Sequence, residues 1–303
     1  MRNSADIIDM AREIGWQRPM KLGVAAANDP DVLEAVIAAR SENMIEPVLV
    51  GSKSAIEELA GKLKLDLDGV EIVDAPKDFD AAVKISRMAA DKEIQIIMKG
   101  FIQTSILLKT ILKPAYNLRM QETMSHCAVL SIPGYHKLLN ITDGGMVIEP
   151  TLEQKLAIIK NAVLVANSLG ISRPKVALHS ASDYINPAMR STLDAAIISK
   201  MAQRKQIEDA DIDGPLTIDC ALRPATAKYA GIESLVAGDA DALIVNSIEE
   251  GNIISKALVH YIGAVFSGVV VGATVPISLV SRTDSSYNKK ASIALAVVLA
   301  DYI

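Results

Sequence analysis

An α/β fold is predicted for this chain, and three features of the sequence predict it. Short aliphatic runs alternate with amphipathic helical segments from residue 20 onward. Half of the residues are hydrophobic but only 4% are aromatic, so Ala, Val, Ile, Leu and Met must fill the core, as in strands covered by helices on both faces. Helix-start signals such as Asp29-Pro30 directly follow strand-like runs. At 303 residues the chain has room for two domains of roughly 150 residues each.

The elements read in order. Met20 to Ala25 is a strand, and Asp29 caps a helix with Pro30 at its first position and Leu33, Val36 and Ile37 at helical spacing. Pro47 to Gly51 is the next strand and Ser54 to Leu63 the next helix. Val70–Val73 and Ile94–Met98 are further strands, with a helix from Phe79 to Ala90 between them. Such βαβα alternation predicts a parallel sheet with right-handed crossovers. A second block has a long helix from Thr151 to Ser168 ended by Gly170, a strand Lys175–Leu178, and a helix opened by Asn186-Pro187 that reaches Gln203. A strand Ala242–Val245, a helix Glu249–His260 and a last helix Ser286–Asp301 complete it.

Bulk properties exclude several classes. The net charge is −5, with both signs scattered and no basic tract, so a nucleic-acid footprint is lacking. Cys127 and Cys220 are too few for a disulfide scaffold and fit a reducing compartment. The opening residues Met1 to Asp6 carry no apolar signal core, which leads to the expectation of a soluble, cytoplasmic protein. The stretch between Lys256 and Arg282 holds no charged residue when His260 is neutral, and it is long enough for a membrane span. Gly263, Gly268, Gly272 and Pro276 interrupt it, and Val269-Val270-Val271 is β-branched; it reads as a helix end followed by two short buried strands.

There is no G-x-G-x-x-G, no P-loop and no G-x-S-x-G elbow. His126, His136, His179 and His260 show no metal-ligand spacing, so no metal is expected. Four strand-end segments remain. The strongest runs from Pro276 to Ser286: an apolar strand, a hydroxyl-rich turn, then a helix. Backbone amides at a helix start favour an anion, Arg282 is a permanent cationic fork, and Ser281, Thr283, Ser285 and Ser286 supply hydroxyls. An ordinary capped turn with a surface arginine fits the same pattern. In Asn246 to Lys256, Gly251 and Asn252 permit close backbone approach and Lys256 shares a helix face with Asn252; an acid-rich helix start is the plainer reading. Lys99-Gly100-Phe101-Ile102-Gln103-Thr104-Ser105, with Lys109 on the following helix, and Thr142-Asp143-Gly144-Gly145 are the other two, and each also reads as a simple turn. Dispersed single cations on similar loops suit a long ligand with several phosphates.

At these residues the chain resembles the phosphate acetyl/butyryltransferase family. The marks are Met98-Lys99-Gly100, Asp213 to Leu222, Gly238-Asp239-Ala240-Asp241, Glu250-Gly251-Asn252 with Lys256, and Val280-Ser281-Arg282. Ser125-His126 through Pro133-Gly134-Tyr135-His136-Lys137 to Gly145 looks more like the butyryltransferase branch. The resemblance implies two α/β domains flanking a cleft, as in isocitrate and isopropylmalate dehydrogenases, with residues 1–121 plus 272–303 in one domain and 122–271 in the other. It implies reversible transfer of a short acyl group, butyryl or branched, between CoA and inorganic phosphate, by a homodimer or higher homo-oligomer, with no cofactor and no membrane or nucleic-acid partner.

Residue by residue, the resemblance makes Ser281 the active-site serine and Arg282 the phosphate-binding arginine, with Ser285 beside it. Gly100, Thr104, Ser105, Lys109, Asn252 and Lys256 are the expected CoA contacts. Acetyltransferases carry a presumed base, an aspartate, seven residues after the serine; here that position is Asn288, and Asp284 is the nearest carboxylate and the catalytic candidate in its place. Alternatives are a phosphate acetyltransferase, a transferase drawing on acyl carrier protein, a dehydrogenase on the same fold, and a CoA-binding regulatory module without catalysis.

Overall fold

A computed structural model describes residues 3–281 and 283–303. They form two compact units: Ser4–Glu122 with Phe266–Ile303, and Thr123–Val265. The chain returns to the first unit before the β-branched run 269–271, earlier than the expected residue 272. In the first unit α1 (Ser4–Gln17) precedes β1 (Met20–Ala25), α2 (Pro30–Ser41), β2 (Ile45–Gly51), α3 (Lys53–Leu63), β3 (Glu71–Asp74), α4 (Asp78–Ala90), β4 (Ile96–Lys99) and α5 (Thr104–Ile111). The second unit holds β5 (Ser125–Ser131), β6 (Leu138–Thr142), α6 (Leu152–Ser168), β7 (Lys175–His179), α7 (Arg190–Gln203), β8 (Asp211–Leu216), α8 (Ile218–Leu222), α9 (Pro224–Tyr229), β9 (Ala242–Ile244) and α10 (Ile248–Ile262). The chain then forms β10 (Val265–Val271), β11 (Ile277–Ser278) and α11 (Ser286–Tyr302).

Strands of the first unit run in the order β3-β2-β1-β4-β11-β10, and those of the second in the order β5-β6-β9-β7-β8. The parallel sheet expected from the alternation holds from β3 to β11 and from β6 to β8. It fails at two strands. β10 pairs antiparallel with β11, and β5 pairs antiparallel with β6. Only a few residues join each of these pairs, too few for the crossover that parallel neighbours require.

Local capping signals explain several helix starts. Asp29 Oδ1 accepts the Val32 N–H at 3.0 Å, and Thr151 and Gln154 form a reciprocal capping box. The start expected at Asn186-Pro187 is displaced: Asn186 Oδ1 accepts the Ala188 N–H in a local turn, and α7 begins at Arg190. In the first unit α11 is buried from Ala291 to Leu299 and packs on α1 and α2. In the second, Ile158, Ile159 and Ala162 of α6 pack with Val176, Leu178, Ile198 and Ile244. Burial of each large aliphatic side chain contributes about 1.5–3 kcal/mol. Among the described residues, no helix is long and apolar enough to cross a membrane, in keeping with β10 and β11 occupying the uncharged stretch.

Candidate active site

In the first unit three parallel strands end side by side. Ala25 of β1 pairs with Lys99 of β4, and Met98 of β4 with Ser278 of β11. The turns after these strands therefore emerge on one edge, where open α/β sheets bind ligands. Gly100 is forced at the turn after β4. A Cβ there would lie 2.2 Å from Ala26 O, while Gly100 N–H donates to Ala25 O at 2.9 Å and Phe101 N–H to Ala26 O at 2.7 Å. The bonds tie the two turns together and aim α5, which starts with half-buried Thr104 and exposed Ser105. Lys109 is exposed in the last turn of α5.

The turn between β11 and α11 has an internal skeleton. Asp284 is buried, and its Oδ2 accepts the Ser281 N–H at 2.7 Å. Ser281 itself is exposed, with its Oγ 3.1 Å from Thr283 Oγ1. Ser285 caps α11 by accepting the Asn288 N–H at 3.2 Å, which leaves its own O–H to donate outward. α11 has no acidic residue in its first turn to compete with an anion. Arg282, the expected phosphate ligand, lies outside the described residues.

Asn288 is no substitute base. Its Oδ1 accepts the Phe266 N–H at 3.3 Å and its side chain is buried, so this position fastens α11 to β10. The next residue went unnoticed in the sequence. Lys289 is 1% exposed; its Nζ donates to the Asp284 carbonyl and lies 3.6 Å from Asp31 Oδ2, at the start of α2. A lysine in a helix reads as a surface cation by default, and nothing in its spacing distinguished it.

In the second unit the ends of β6, β9 and β7 also share an edge. Asp143 accepts three backbone N–H bonds, from Gly145 and Met146 on Oδ1 and Val147 on Oδ2. Burial pushes its carboxyl up from the ordinary range, and those amides oppose the rise. Gly144 and Gly251 meet face to face: a Cβ on Gly251 would sit 2.8 Å from Gly144 Cα. The Asp-Gly-Gly turn and the start of α10 thus form one arrangement. Asn252 and Lys256 are exposed on α10.

A buried polar chain lies beside them. Lys155 Nζ bridges Asp194 Oδ2 and Asn246 Oδ1, both at 2.9 Å. Asn246 donates N–H to Glu250 Oε2 at 2.7 Å and Nδ2–H to the His179 carbonyl at 2.9 Å. Glu250 Oε1 meets His179 Nδ1. Burial pushes the Glu250 carboxyl up, but the His179 and Asn246 bonds outweigh it and hold the group below its ordinary value. The resemblance had drawn attention to Glu250, but not to its partner on a distant strand. Gly238-Asp239-Ala240-Asp241 sits at the opposite ends of these strands: Asp239 binds Lys175 Nζ at 2.5 Å and Lys137 Nζ at 3.0 Å, an ion-pair clamp. Among the described residues, no cluster of His, Cys, Asp and Glu could hold a metal.

Residues 79–297 match the family model described as phosphate acetyl/butaryl transferase. The chain belongs to this family. Its reaction class is therefore acyl transfer, acetyl or butyryl, involving phosphate. A phosphate acetyltransferase of Thermotoga maritima is 42% identical over 97% of this chain and 98% of its own length. A phosphate butyryltransferase of Clostridium acetobutylicum is 39% identical over 92% of this chain and 93% of its own. The crystal structure of a branched-chain phosphotransacylase from Enterococcus faecalis V583 superposes with a TM-score of 0.82 at 30% identity, covering 93% of this chain and 99% of that one. At the level of fold alone, a 4-hydroxythreonine-4-phosphate dehydrogenase from Klebsiella pneumoniae matches with a TM-score of 0.54 at 14% identity, over 93% of this chain and 99% of that one. The isocitrate dehydrogenase-like α/β class expected from the resemblance is borne out.

Proposed function

We propose that this family member moves a butyryl or branched short acyl group between CoA and inorganic phosphate. Its acyl-CoA and phosphate substrates follow from the family; the chain length is the finer reading. The observation that carries the reading is the braced turn from Ser281 to Ser285, which presents exposed hydroxyls at the start of a helix with no acid in its first turn. Phosphate binds Arg282 and Ser285 there, and one of its oxygens attacks the thioester carbonyl. Ser281 donates a hydrogen bond to the charge that develops on the carbonyl oxygen or the leaving sulfur. Asp284, through its bond to the Ser281 N–H, serves this reaction by holding Ser281 in place. The CoA contacts that the resemblance implies are Gly100, Thr104, Ser105, Lys109, Asn252 and Lys256. Holding two anionic substrates in reacting geometry supplies much of the acceleration, and no covalent acyl-serine is needed.

The butyryltransferase and branched-chain relatives favour this acyl range. The acetyltransferase relative favours acetyl and is the second reading. A thiol-release assay with phosphate and a panel of acetyl-, butyryl-, isobutyryl- and isovaleryl-CoA separates them. The proposal expects kcat/KM for a four- or five-carbon acyl group to exceed that for acetyl by about tenfold or more, since one methylene in an apolar pocket contributes about 1–3 kcal/mol. A preference for acetyl-CoA selects the second reading, and phosphate-independent thiol release rejects both.

A further inference from the structure

We propose that Thr283 is a positioning residue that acts through Ser281: its hydroxyl donates to Ser281 Oγ, and so aims and strengthens the hydrogen bond that Ser281 gives to the reacting group. The inference rests on the acyl-transfer reading above and deepens it within the first unit alone. Ser281, Arg282, Asp284 and Ser285 have tasks in that reaction, whereas the Thr283 hydroxyl has none there.

The backbone fixes where this hydroxyl stands. Asp284 N–H donates to the Ser281 carbonyl at 3.2 Å, which closes a four-residue turn with Thr283 in third place. Asp284 Oδ2 accepts the Ser281 N–H at 2.7 Å, so Asp284 binds both main-chain groups of Ser281. Lys289 holds Asp284 in turn, by donating to its carbonyl. Thr283 thus sits in a turn braced at both ends. Its branched β-carbon restricts χ1, so its hydroxyl has fewer directions open to it than that of a serine. Thr283 Oγ1 lies 3.1 Å from Ser281 Oγ, and both side chains are exposed. Other polar groups of the turn are engaged elsewhere. Asp284 Oδ2 holds the Ser281 N–H, Ser285 Oγ accepts the Asn288 N–H, and Lys289 Nζ reaches the Asp284 carbonyl.

Counting donors decides the direction of the contact. A hydroxyl has one proton to donate and two lone pairs that accept. Ser281 directs its proton at the carbonyl oxygen or leaving sulfur, where charge develops. It then has none for Thr283, and the contact is a hydrogen bond only with Thr283 as donor. That bond occupies one lone pair of Ser281 Oγ, which limits how the Ser281 O–H can rotate. It also polarises the O–H, and such chains strengthen each bond by about 10–30%. At 3.1 Å the contact is long for a hydroxyl pair, so it can shorten as charge builds on the far side of Ser281. No covalent bond is made or broken at Thr283, and Ser281 keeps its proton throughout. The gain is largest in the transition state, where the substrate's charge is largest, so it falls on kcat rather than on KM.

The test is a double-mutant cycle of T283V and S281A, with T283S as the conservative variant, read by thiol release from butyryl-CoA at varied phosphate. Valine keeps the branched shape and loses the hydroxyl. T283V should lower kcat by about 3–10-fold, as loss of one neutral hydrogen bond implies. KM for phosphate and for butyryl-CoA should stay within about twofold. The melting temperature should hold, because the side chain is exposed. T283S, which retains the donor, should keep kcat within about twofold of wild type. In the S281A background T283V should have no further effect, because the group through which Thr283 acts is gone. Wild-type kcat in T283V overturns the proposal. So does a rise in KM for phosphate at unchanged kcat, which would make Thr283 a phosphate contact, and so does an equal loss with and without Ser281. If T283V does not fold, T283A replaces it in the cycle with the same outcomes. S281A with wild-type kcat overturns the proposal together with the role of Ser281. Wild-type protein that releases no thiol from any acyl-CoA with phosphate would instead sink the acyl-transfer reading itself.

Discussion

Lys289→Met removes a charge from beneath the Ser281–Ser285 turn while nearly preserving its volume. The ammonium is fully buried and donates to the Asp284 carbonyl. Hydrogen bonds from charged groups contribute about 1.5–3 kcal/mol, and a buried carbonyl left unpaired costs about 1–3 kcal/mol. Methionine relieves the desolvation of the ammonium, which offsets part of that loss. The pairing with Asp31, 3.6 Å away and half exposed, contributes little. The net expectation is a loss of about 1–3 kcal/mol, seen as a fall in melting temperature of about 2–4 °C per kcal/mol. Function should suffer too. Asp284 carries the Ser281 N–H on Oδ2, so a looser Asp284 misplaces Ser281 and Ser285 together. KM for phosphate should rise and kcat/KM for phosphate fall by about 10–100-fold, a decade for each 1.4 kcal/mol. Differential scanning calorimetry and a thiol-release assay at varied phosphate measure both. Unchanged melting temperature together with unchanged kcat/KM would refute the view that Lys289 braces the site from below.

Two further predictions concern the scaffold. Gly100→Ala places a methyl 2.2 Å from the Ala26 carbonyl, and backbone on backbone cannot yield cheaply; it should destabilise by about 1–3 kcal/mol and raise KM for CoA, as thermal melts and steady-state kinetics can check. For Asp239, burial acts upward, but Lys175 and Lys137 pull its carboxyl down to about 2, below the 3.8 of an unpaired aspartate. A folded-state value below the unfolded one means the stabilisation is present above pH of about 4 and is lost as pH falls towards 2. In urea titrations, Asp239→Asn should therefore be less stable than wild type at pH 7, with the gap closing between pH 4 and 2.

Much of the fold is legible in the sequence because its signals are local. Asp29-Pro30 and Thr151 with Gln154 cap their helices through bonds spanning three residues. The β-rich alternation needs only hydrophobic spacing. Strand direction is another matter. β5 is buried along nearly its whole length, so it lacks the alternation of apolar and polar residues that marks an antiparallel strand with one face in solvent, and its pairing with β6 stays hidden. Asn186-Pro187 looked like a helix cap because Asn serves caps and turns through the same short-range bond; here the turn takes it. The candidate site divides similarly. The Ser281–Ser285 turn and the Gly100 turn are contiguous in sequence and were found as segments. Roles that depend on distant partners were not. Lys289 looks like any helix lysine until Asp31 and the Asp284 carbonyl surround it. His179 looks like an isolated strand-end histidine until Glu250 and Asn246 arrive from another strand and helix.

The central claim is that the turn opening α11 is the phosphate site of an acyl transfer, with Arg282 as its cationic ligand. The most direct measurement is the phosphate dependence of butyryl-CoA cleavage by Arg282→Ala. Loss of a charged donor aimed at phosphate predicts a fall in kcat/KM for phosphate of about 10²–10³-fold with the melting temperature unchanged. An Arg282→Ala enzyme with near-normal kcat/KM for phosphate would place the anion elsewhere and contradict the account.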